Sequence, residues 1–116
     1  MKHALLALLL TLAAAAAFAE TPETVAITYR VSKANEAKLL DVIHGHWSTL
    51  TSKNLVTGSR QLFRGDGFFL EIFTWKDASI PDNAPAEVLK WWGEMNKLVE
   101  KGGLRIDEIH AVEMKE

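Results

Sequence analysis

The sequence predicts an α+β domain whose elements follow the order β-α-β-β-α-β. Three observations predict this order: two segments with apolar residues at helical spacing, a Gly-Asp-Gly hairpin signature between two central strands, and a strand pattern at each end. The domain is expected to span residues 20–116 as a single unit.

Residues 1–19 are predicted to be a removable export leader. Lys2 and His3 precede an apolar run of about 15 residues, and Ala17-Phe18-Ala19 matches a small-x-small cleavage site. The run is shorter than the roughly 20 residues of a membrane-spanning helix, and a polar, acidic segment follows it. We therefore expect a periplasmic or secreted protein with no membrane span after leader removal; an uncleaved anchor is the alternative.

The first half of the domain is predicted to be a strand followed by a helix. Apolar side chains alternate with smaller or polar ones from Val25 to Val31, as in a half-buried strand. Ser32 can then cap a helix from Lys33 to about Ser52. Its apolar stripe is formed by Leu40, Ile43, Trp47 and Leu50.

A hairpin is predicted at the centre of the chain. A short strand from Ser59 to Arg64 leads into the turn Gly65-Asp66-Gly67, and a second strand runs from Phe68 to Trp75. This second strand is apolar on both faces, which is usual for a strand that is covered on both faces. One face carries Phe68, Leu70 and Ile72, and the other carries Phe69, Phe73 and Trp75.

The second half repeats the helix and strand pattern. A loop rich in proline and asparagine precedes a helix from about Pro85 to Lys101, which Gly102-Gly103 ends. The last strand is predicted from Leu104 to Met114. The stripe of the second helix is formed by Val88, Trp92, Met95 and Val99.

This order predicts a ferredoxin-like fold, a four-stranded antiparallel sheet with two helices on one face. The other face of the sheet would then expose the apolar residues of the third strand. Because a large exposed apolar patch usually marks an interface, we expect a homodimer that packs sheet on sheet as a dimeric α+β barrel.

Composition excludes several classes of function. The chain has no cysteine, which excludes disulfides, thiolate catalysis and thiolate metal sites. Its formal net charge of −2 argues against a nucleic-acid partner, which would favour a basic surface. No Gly-x-Ser-x-Gly elbow or phosphate-binding glycine loop is present, so hydrolase and nucleotide-dependent activities have no support.

The third strand and the second helix resemble a known family. The segment Phe68–Asp77 and the helix start Pro85–Trp92 are similar to the antibiotic biosynthesis monooxygenase type of the dimeric α+β barrel superfamily, over residues 25–114. The resemblance implies a small apolar or aromatic ligand, with cofactor-free oxygenation of aromatic or quinol substrates as the activity and no cofactor. Many similar proteins have no known activity.

The haem-degrading branch of that superfamily is matched at one position only. Members of that branch resemble one another in having an Asn on the first strand, a Trp near the end of the third strand and a His on the second helix. Here Trp75 matches, whereas the first strand offers Thr28 and Arg30, and the second helix offers Asn96 instead of a histidine.

His44 and His46 lie two residues apart on the predicted first helix and point in different directions, so one metal ion cannot bind both. No metal site is predicted. His44, at the boundary between helix and sheet, is the better candidate for a general acid or base. The alternative is that both histidines are structural residues at the rim of the apolar stripe.

Glu71 and the tryptophans are the other candidates. Glu71 lies mid-strand among aromatic residues, where it is either paired with Arg30, Arg60 or Arg64 or kept as a base with a raised pKa. Trp47 and Trp92 are predicted to be core residues. The candidate catalytic residues are therefore His44, Glu71 and Trp75, and the candidate ligand-binding residues are Trp75, Trp91, Asn96 and Arg30.

Three hypotheses remain open at this stage. The first is an exported dimer that binds a small aromatic molecule and oxidises it without a cofactor. The second is a non-catalytic binding or structural module, with a filled core and with His44 and Glu71 paired structurally. The third is haem binding through one histidine. A cavity of some hundreds of Å³ between helices and sheet would favour a ligand-binding function.

Overall fold

The computed structural model describes residues 20–114, which form a four-stranded antiparallel sheet with two helices packed on one face. The predicted leader lies outside the described residues. The spatial strand order is β2-β3-β1-β4, as the ferredoxin-like prediction requires. The strands are β1 (Glu23–Arg30), β2 (Val56–Gly65), β3 (Phe68–Trp75) and β4 (Leu104–Glu108), and the helices are α1 (Glu36–Ser52) and α2 (Ala86–Leu98).

The register of the sheet decides which side chains face the helices. Val25 is paired with Phe73, Ile27 with Glu71, and Glu23 with Trp75. Alternate side chains of β1 and β3 are consequently buried beneath the helices, and the core includes Val25, Ile27, Tyr29, Phe69, Phe73 and Trp75. The opposite face carries Phe68, Leu70 and Ile72, which are half-buried.

The central hairpin confirms the predicted turn and lengthens the first of its strands. Gly67 adopts a φ of 78°, a left-handed conformation that glycine tolerates without strain. β2 begins at Val56 rather than at Ser59, because Val56 pairs with Trp75. A bulge between Thr57 and Gln61 breaks the alternation of side chains there, so the start of this strand has no alternating apolar pattern in the sequence.

Two boundaries near the C-terminus differ from the sequence prediction. α2 ends at Leu98, not at Lys101, because the following segment is bound to the end of β1: the Glu100 N–H donates to the Arg30 carbonyl at 2.8 Å. β4 ends at Glu108, not at Met114. Glu108 pairs with Val25, and the Ile109 N–H still donates to the Thr24 carbonyl at 2.9 Å, so the pairing stops where β1 itself begins, at Glu23.

The buried face of α1 is rotated from the predicted stripe. Trp47 and Leu40 are only half-buried, whereas His46 is 1% exposed. Polar side chains can occupy this face because α2 supplies hydrogen-bond donors to them, as described below. The buried residues of α1 are Leu39, Ile43, His46, Thr49 and Leu50.

The two helices approach each other closely at a glycine. A Cβ atom built at Gly45 of α1 would overlap the indole ring of Trp91 on α2. The Trp91 ring therefore lies directly against the backbone of α1, and its N–H donates to the Thr49 hydroxyl at 2.8 Å. Gly45, which weakens a helix locally, is required at this crossing.

We expect Gly45→Ala to destabilise the protein by about 1–3 kcal/mol, because the added methyl group overpacks the contact with Trp91. Gly93→Ala is the matched control, since Gly93 also lies inside a helix but nothing lies within 4 Å of the Cβ position. That change should stabilise by up to about 1 kcal/mol through helix propensity. Urea unfolding of both variants measures the difference, and equal effects would contradict the close helix contact.

Candidate functional site

A cavity of about 400 Å³ lies between α2 and the half of the sheet formed by β1 and β4. Its sheet side is apolar, and α2 contributes Trp92, Met95 and Asn96 to the opposite wall. Trp75 lies at the end of β3 beside the cavity, and its ring meets the Trp92 ring nearly edge to face, with centroids 6.4 Å apart. The sheet side is formed by Val25, Ile27, Tyr29, Leu104 and Ile106.

Two acidic residues, Glu23 and Asp82, are also among the residues that line the cavity. Glu23 is half-buried at the start of β1, and Asp82 is exposed in the loop before α2. This loop is joined to the N-terminal segment through Asp77, whose carboxylate accepts hydrogen bonds from the Thr21 and Ser79 N–H groups. These hydrogen bonds hold the pKa of Asp77 below its usual range.

His46 is a polar residue of the cavity wall that is almost completely buried. The indole N–H of Trp92 donates to His46 Nε2 at 3.0 Å. An indole N–H is only a donor, so Nε2 must be the acceptor and the ring proton of neutral His46 lies on Nδ1. Burial, together with the charge of Arg60, lowers the pKa of His46 to about 4, so the ring is neutral at pH 7.

A second polar group occupies the other half of the helix-sheet interface. Glu71 is fully buried and accepts hydrogen bonds from the Tyr29 hydroxyl at 2.7 Å and from Arg60 at 3.2 Å. Arg60 also contacts His44 Nδ1 at 3.2 Å and lies over the Trp47 ring. We refer to Tyr29, Glu71, Arg60 and His44 as the Arg60 network.

Burial raises the pKa of Glu71, and the hydrogen bonds from Tyr29 and Arg60 partly oppose this shift. Burial and the neighbouring Glu71 carboxylate raise the pKa of Tyr29 well above 10, so its hydroxyl stays protonated and keeps donating to Glu71. The network is therefore internally satisfied, and Tyr29 is the member that also borders the cavity.

The structure brings together only some of the residues that the sequence singled out. Trp75 and Asn96 both line the cavity. Glu71 and His44 meet at Arg60 instead, and His44 is exposed beside a shallow depression between α1 and β2. Trp91 lies between the helices, and Arg30 is exposed at the end of β1, so neither is part of the cavity wall.

Sequence reasoning missed His46, Tyr29 and Ile106 as cavity residues. His46 falls seven residues after Leu39 and three after Ile43, a spacing that is visible in the sequence as a second stripe. No sequence signal distinguishes Ile106 from an ordinary strand residue; it is 61% exposed because it lies at the edge of the sheet.

Within residues 20–114, no group of three or more histidine, aspartate or glutamate side chains is arranged to hold a metal ion. His44 and His46, the pair with the most suggestive spacing, point to different partners, Arg60 and Trp92. In the same part of the chain, neither helix combines the length and apolar character needed to cross a bilayer.

Fold and cavity together define a ferredoxin-like α+β protein with an apolar pocket between its helices and its sheet. No family model and no curated protein matches the chain. Among solved structures it is similar to SnoaB, a cofactor-independent oxygenase from Streptomyces nogalater, with a TM-score of 0.63 and 16% identity; the match covers 80% of this chain and 95% of that chain.

Two further solved structures share the architecture. An antibiotic biosynthesis monooxygenase matches with a TM-score of 0.60 and 16% identity, and the match covers 80% of this chain and 100% of that chain. Rv0793 from Mycobacterium tuberculosis matches with a TM-score of 0.67 and 9% identity, and the match covers 83% of this chain and 100% of that chain. Likeness at these identities establishes the fold, and at that level it confirms the resemblance to antibiotic biosynthesis monooxygenase-type proteins.

We expect Arg60→Met to destabilise the protein by about 3–5 kcal/mol at pH 8, because ionised Glu71 would be left buried without its cation. The loss should shrink at pH 5. A buried carboxyl whose folded-state pKa is raised favours folding once it is protonated, and that contribution is lost as the pH rises through its folded-state pKa.

Urea unfolding at both pH values measures this loss. Arg64→Met is the matched control, because its ion pair with Glu36 is much more exposed than that of Arg60 with Glu71 and should contribute less than about 1 kcal/mol with little pH dependence. An Arg60→Met loss of the same size at pH 5 and pH 8 would contradict the assignment of Glu71 as the titrating partner.

Proposed function

We propose that the protein binds a small aromatic molecule in the cavity and oxidises it with molecular oxygen, without a cofactor. The cavity is the observation that carries the proposal. Its volume of about 400 Å³ suits a molecule of two or three fused rings, and its walls are apolar except for a few polar groups. The fold shared with a cofactor-independent oxygenase supports the same activity.

A quinol is the substrate class that this chemistry favours. The quinol loses a hydroxyl proton, and its electron-rich anion reduces oxygen directly. One oxygen atom is added to the ring, the other leaves as water, and the product is a hydroxyquinone. The chain must hold the ring, accept the proton and exclude water.

The side chains suited to these tasks lie around the cavity. Trp75, Trp92 and Ile106 would hold the ring between apolar surfaces. Glu23 and Asp82 carry the carboxylates that could accept the proton. Glu71 and His44 are both engaged by Arg60 and do not border the cavity, so this proposal assigns them to the structural network.

Oxygen uptake tests the activity. The purified protein should consume one oxygen molecule per quinol and form a hydroxyquinone, above the rate of spontaneous oxidation. Ile106→Trp should reduce uptake at least tenfold, because the indole fills the cavity at a position that is already exposed. Leu89→Trp is the matched control on the exposed face of α2 and should retain the original rate.

A non-catalytic binding module is the second candidate, and the internally satisfied Arg60 network favours it. That hypothesis predicted His44 and Glu71 as structurally paired residues, with which their contacts to Arg60 agree, and a filled core, with which the cavity disagrees. Measuring the melting temperature and oxygen uptake with the same quinols distinguishes the two functions. Quinols that raise the melting temperature without oxygen uptake would support binding alone. If no quinol or polyphenol of a panel raised the melting temperature or caused oxygen uptake, both functions would be contradicted.

We further propose that the protein is a homodimer formed through the open face of the sheet. Phe68, Leu70 and Ile72 lie on that face of β3, and Phe63 on β2 is 50% exposed. A second copy packed sheet on sheet would bury this apolar surface, which water otherwise covers.

Leu70→Lys should convert the dimer into a monomer, because a lysine ammonium at the centre of the interface would be buried without a partner. Light scattering after gel filtration should then give about half the original mass. Leu89→Lys places the same charge on exposed α2 and should leave the mass unchanged. A monomeric mass for the unmodified protein would contradict the proposal directly.

We also propose export to the periplasm or beyond, with cleavage after Ala19. The leader pattern of residues 1–19 supports it. Mass spectrometry of the protein recovered outside the cytoplasm should give an N-terminus at Glu20; a cytoplasmic protein that begins at Met1 would contradict export.

A further inference from the structure

His46 carries a hydrogen-bonding atom that the folded chain does not use. Nδ1 is buried and has no hydrogen-bond partner among the described residues. Buried polar atoms of this kind are few in native proteins, and each calls for an explanation such as a ligand or an ordered water. His46 is among the residues that line the cavity, although Nδ1 itself has almost no exposed surface, so a molecule bound there would reach it after a small shift of the cavity wall.

The neighbouring tryptophan decides what kind of partner this atom requires. Trp92 donates the only polar hydrogen of its side chain to His46 Nε2 at 3.0 Å, which leaves the ring proton on Nδ1. Nδ1 is therefore a donor, not an acceptor. A hydrocarbon or another donor cannot satisfy it, whereas a carbonyl or phenolate oxygen can.

We propose that His46 Nδ1–H is a specificity-determining donor, which selects ligands that bring an acceptor oxygen on an aromatic ring into the cavity. This inference rests on the proposed function and deepens it by naming the oxygen that the site recognises. The same donor would stabilise the negative charge that develops on the oxygen of a quinol when its proton is lost. His46 is thus assigned as a hydrogen-bond donor to the substrate and not as its base.

The remaining chemistry of the ring agrees with this role. The ring stays neutral at pH 7 because burial and Arg60 disfavour its cation. A neutral ring whose Nε2 is occupied by Trp92 has no lone pair available for accepting a substrate proton. The polar interactions around His46 therefore leave it one function towards a ligand, which is donation from Nδ1.

Two substitutions separate the two nitrogen atoms of the ring. In His46→Asn the side-chain amide nitrogen can take the position of Nδ1 and still donate to a ligand. In His46→Gln the longer amide can take the position of Nε2 and still accept from Trp92, but the donor at Nδ1 is lost. The paired probes are 1,4-naphthoquinone, which carries two acceptor oxygens, and naphthalene, which carries none.

We expect the unmodified protein to bind 1,4-naphthoquinone more tightly than naphthalene, with a preference roughly five- to tenfold greater than that of His46→Gln. His46→Asn should retain most of the preference. If His46→Gln keeps the full preference, the inference is overturned while ligand binding in the cavity stands. If neither probe binds the unmodified protein, the proposed function fails, and the inference fails with it.

The tautomer gives a readout that needs no variant, and its first part needs no ligand. In nitrogen NMR spectra of the unmodified protein at pH 7, His46 should show a protonated Nδ1 and an unprotonated Nε2, and adding 1,4-naphthoquinone should shift the Nδ1 proton signal. A protonated Nε2 in the ligand-free protein would overturn the inference even if both probes bind.

Discussion

The architecture depends on two hydrogen bonds that join α2 to α1, both donated by indole N–H groups of α2. Trp91 and Trp92 are adjacent, and each donates to α1, to Thr49 and to His46 respectively. A buried indole N–H without a partner would be unfavourable by about 1–3 kcal/mol. These two bonds therefore set the position of α2 against α1, and Gly45 allows the close approach that they require.

This position of α2 divides the inner face of the sheet into two parts with different chemistry. Over β2 and β3, the Arg60 network holds the one buried carboxylate of the described chain, Glu71. Over β1 and β4, the surface is apolar and is covered only in part, which leaves the cavity. Tyr29 borders both parts, donating its hydroxyl to Glu71 while it lines the cavity. The Arg60 network thus belongs to the scaffold, whereas the ligand site combines apolar surfaces with the buried His46 and with Glu23 and Asp82.

Much of the fold could be predicted from the sequence, because β3 and the hairpin turn have local signals that are not overridden by distant contacts. Phe68–Trp75 was predicted with its observed bounds. The start of β2 and the end of α2 were not, because a bulge and a hydrogen bond to Arg30 determine them. The candidate site was predictable only in part: Trp75 has a visible position at a strand end, whereas the role of His46 depends on an indole from another helix.

The central claim is that an aromatic molecule with an acceptor oxygen binds between α2 and the β1–β4 half of the sheet. A crystal structure of the protein with 1,4-naphthoquinone tests it most directly. The account predicts the ring beside Trp75, Trp92 and Ile106, with one carbonyl oxygen within about 3 Å of His46 Nδ1. A quinone bound on the open face of the sheet or beside His44, with the cavity closed by its own side chains, would contradict it.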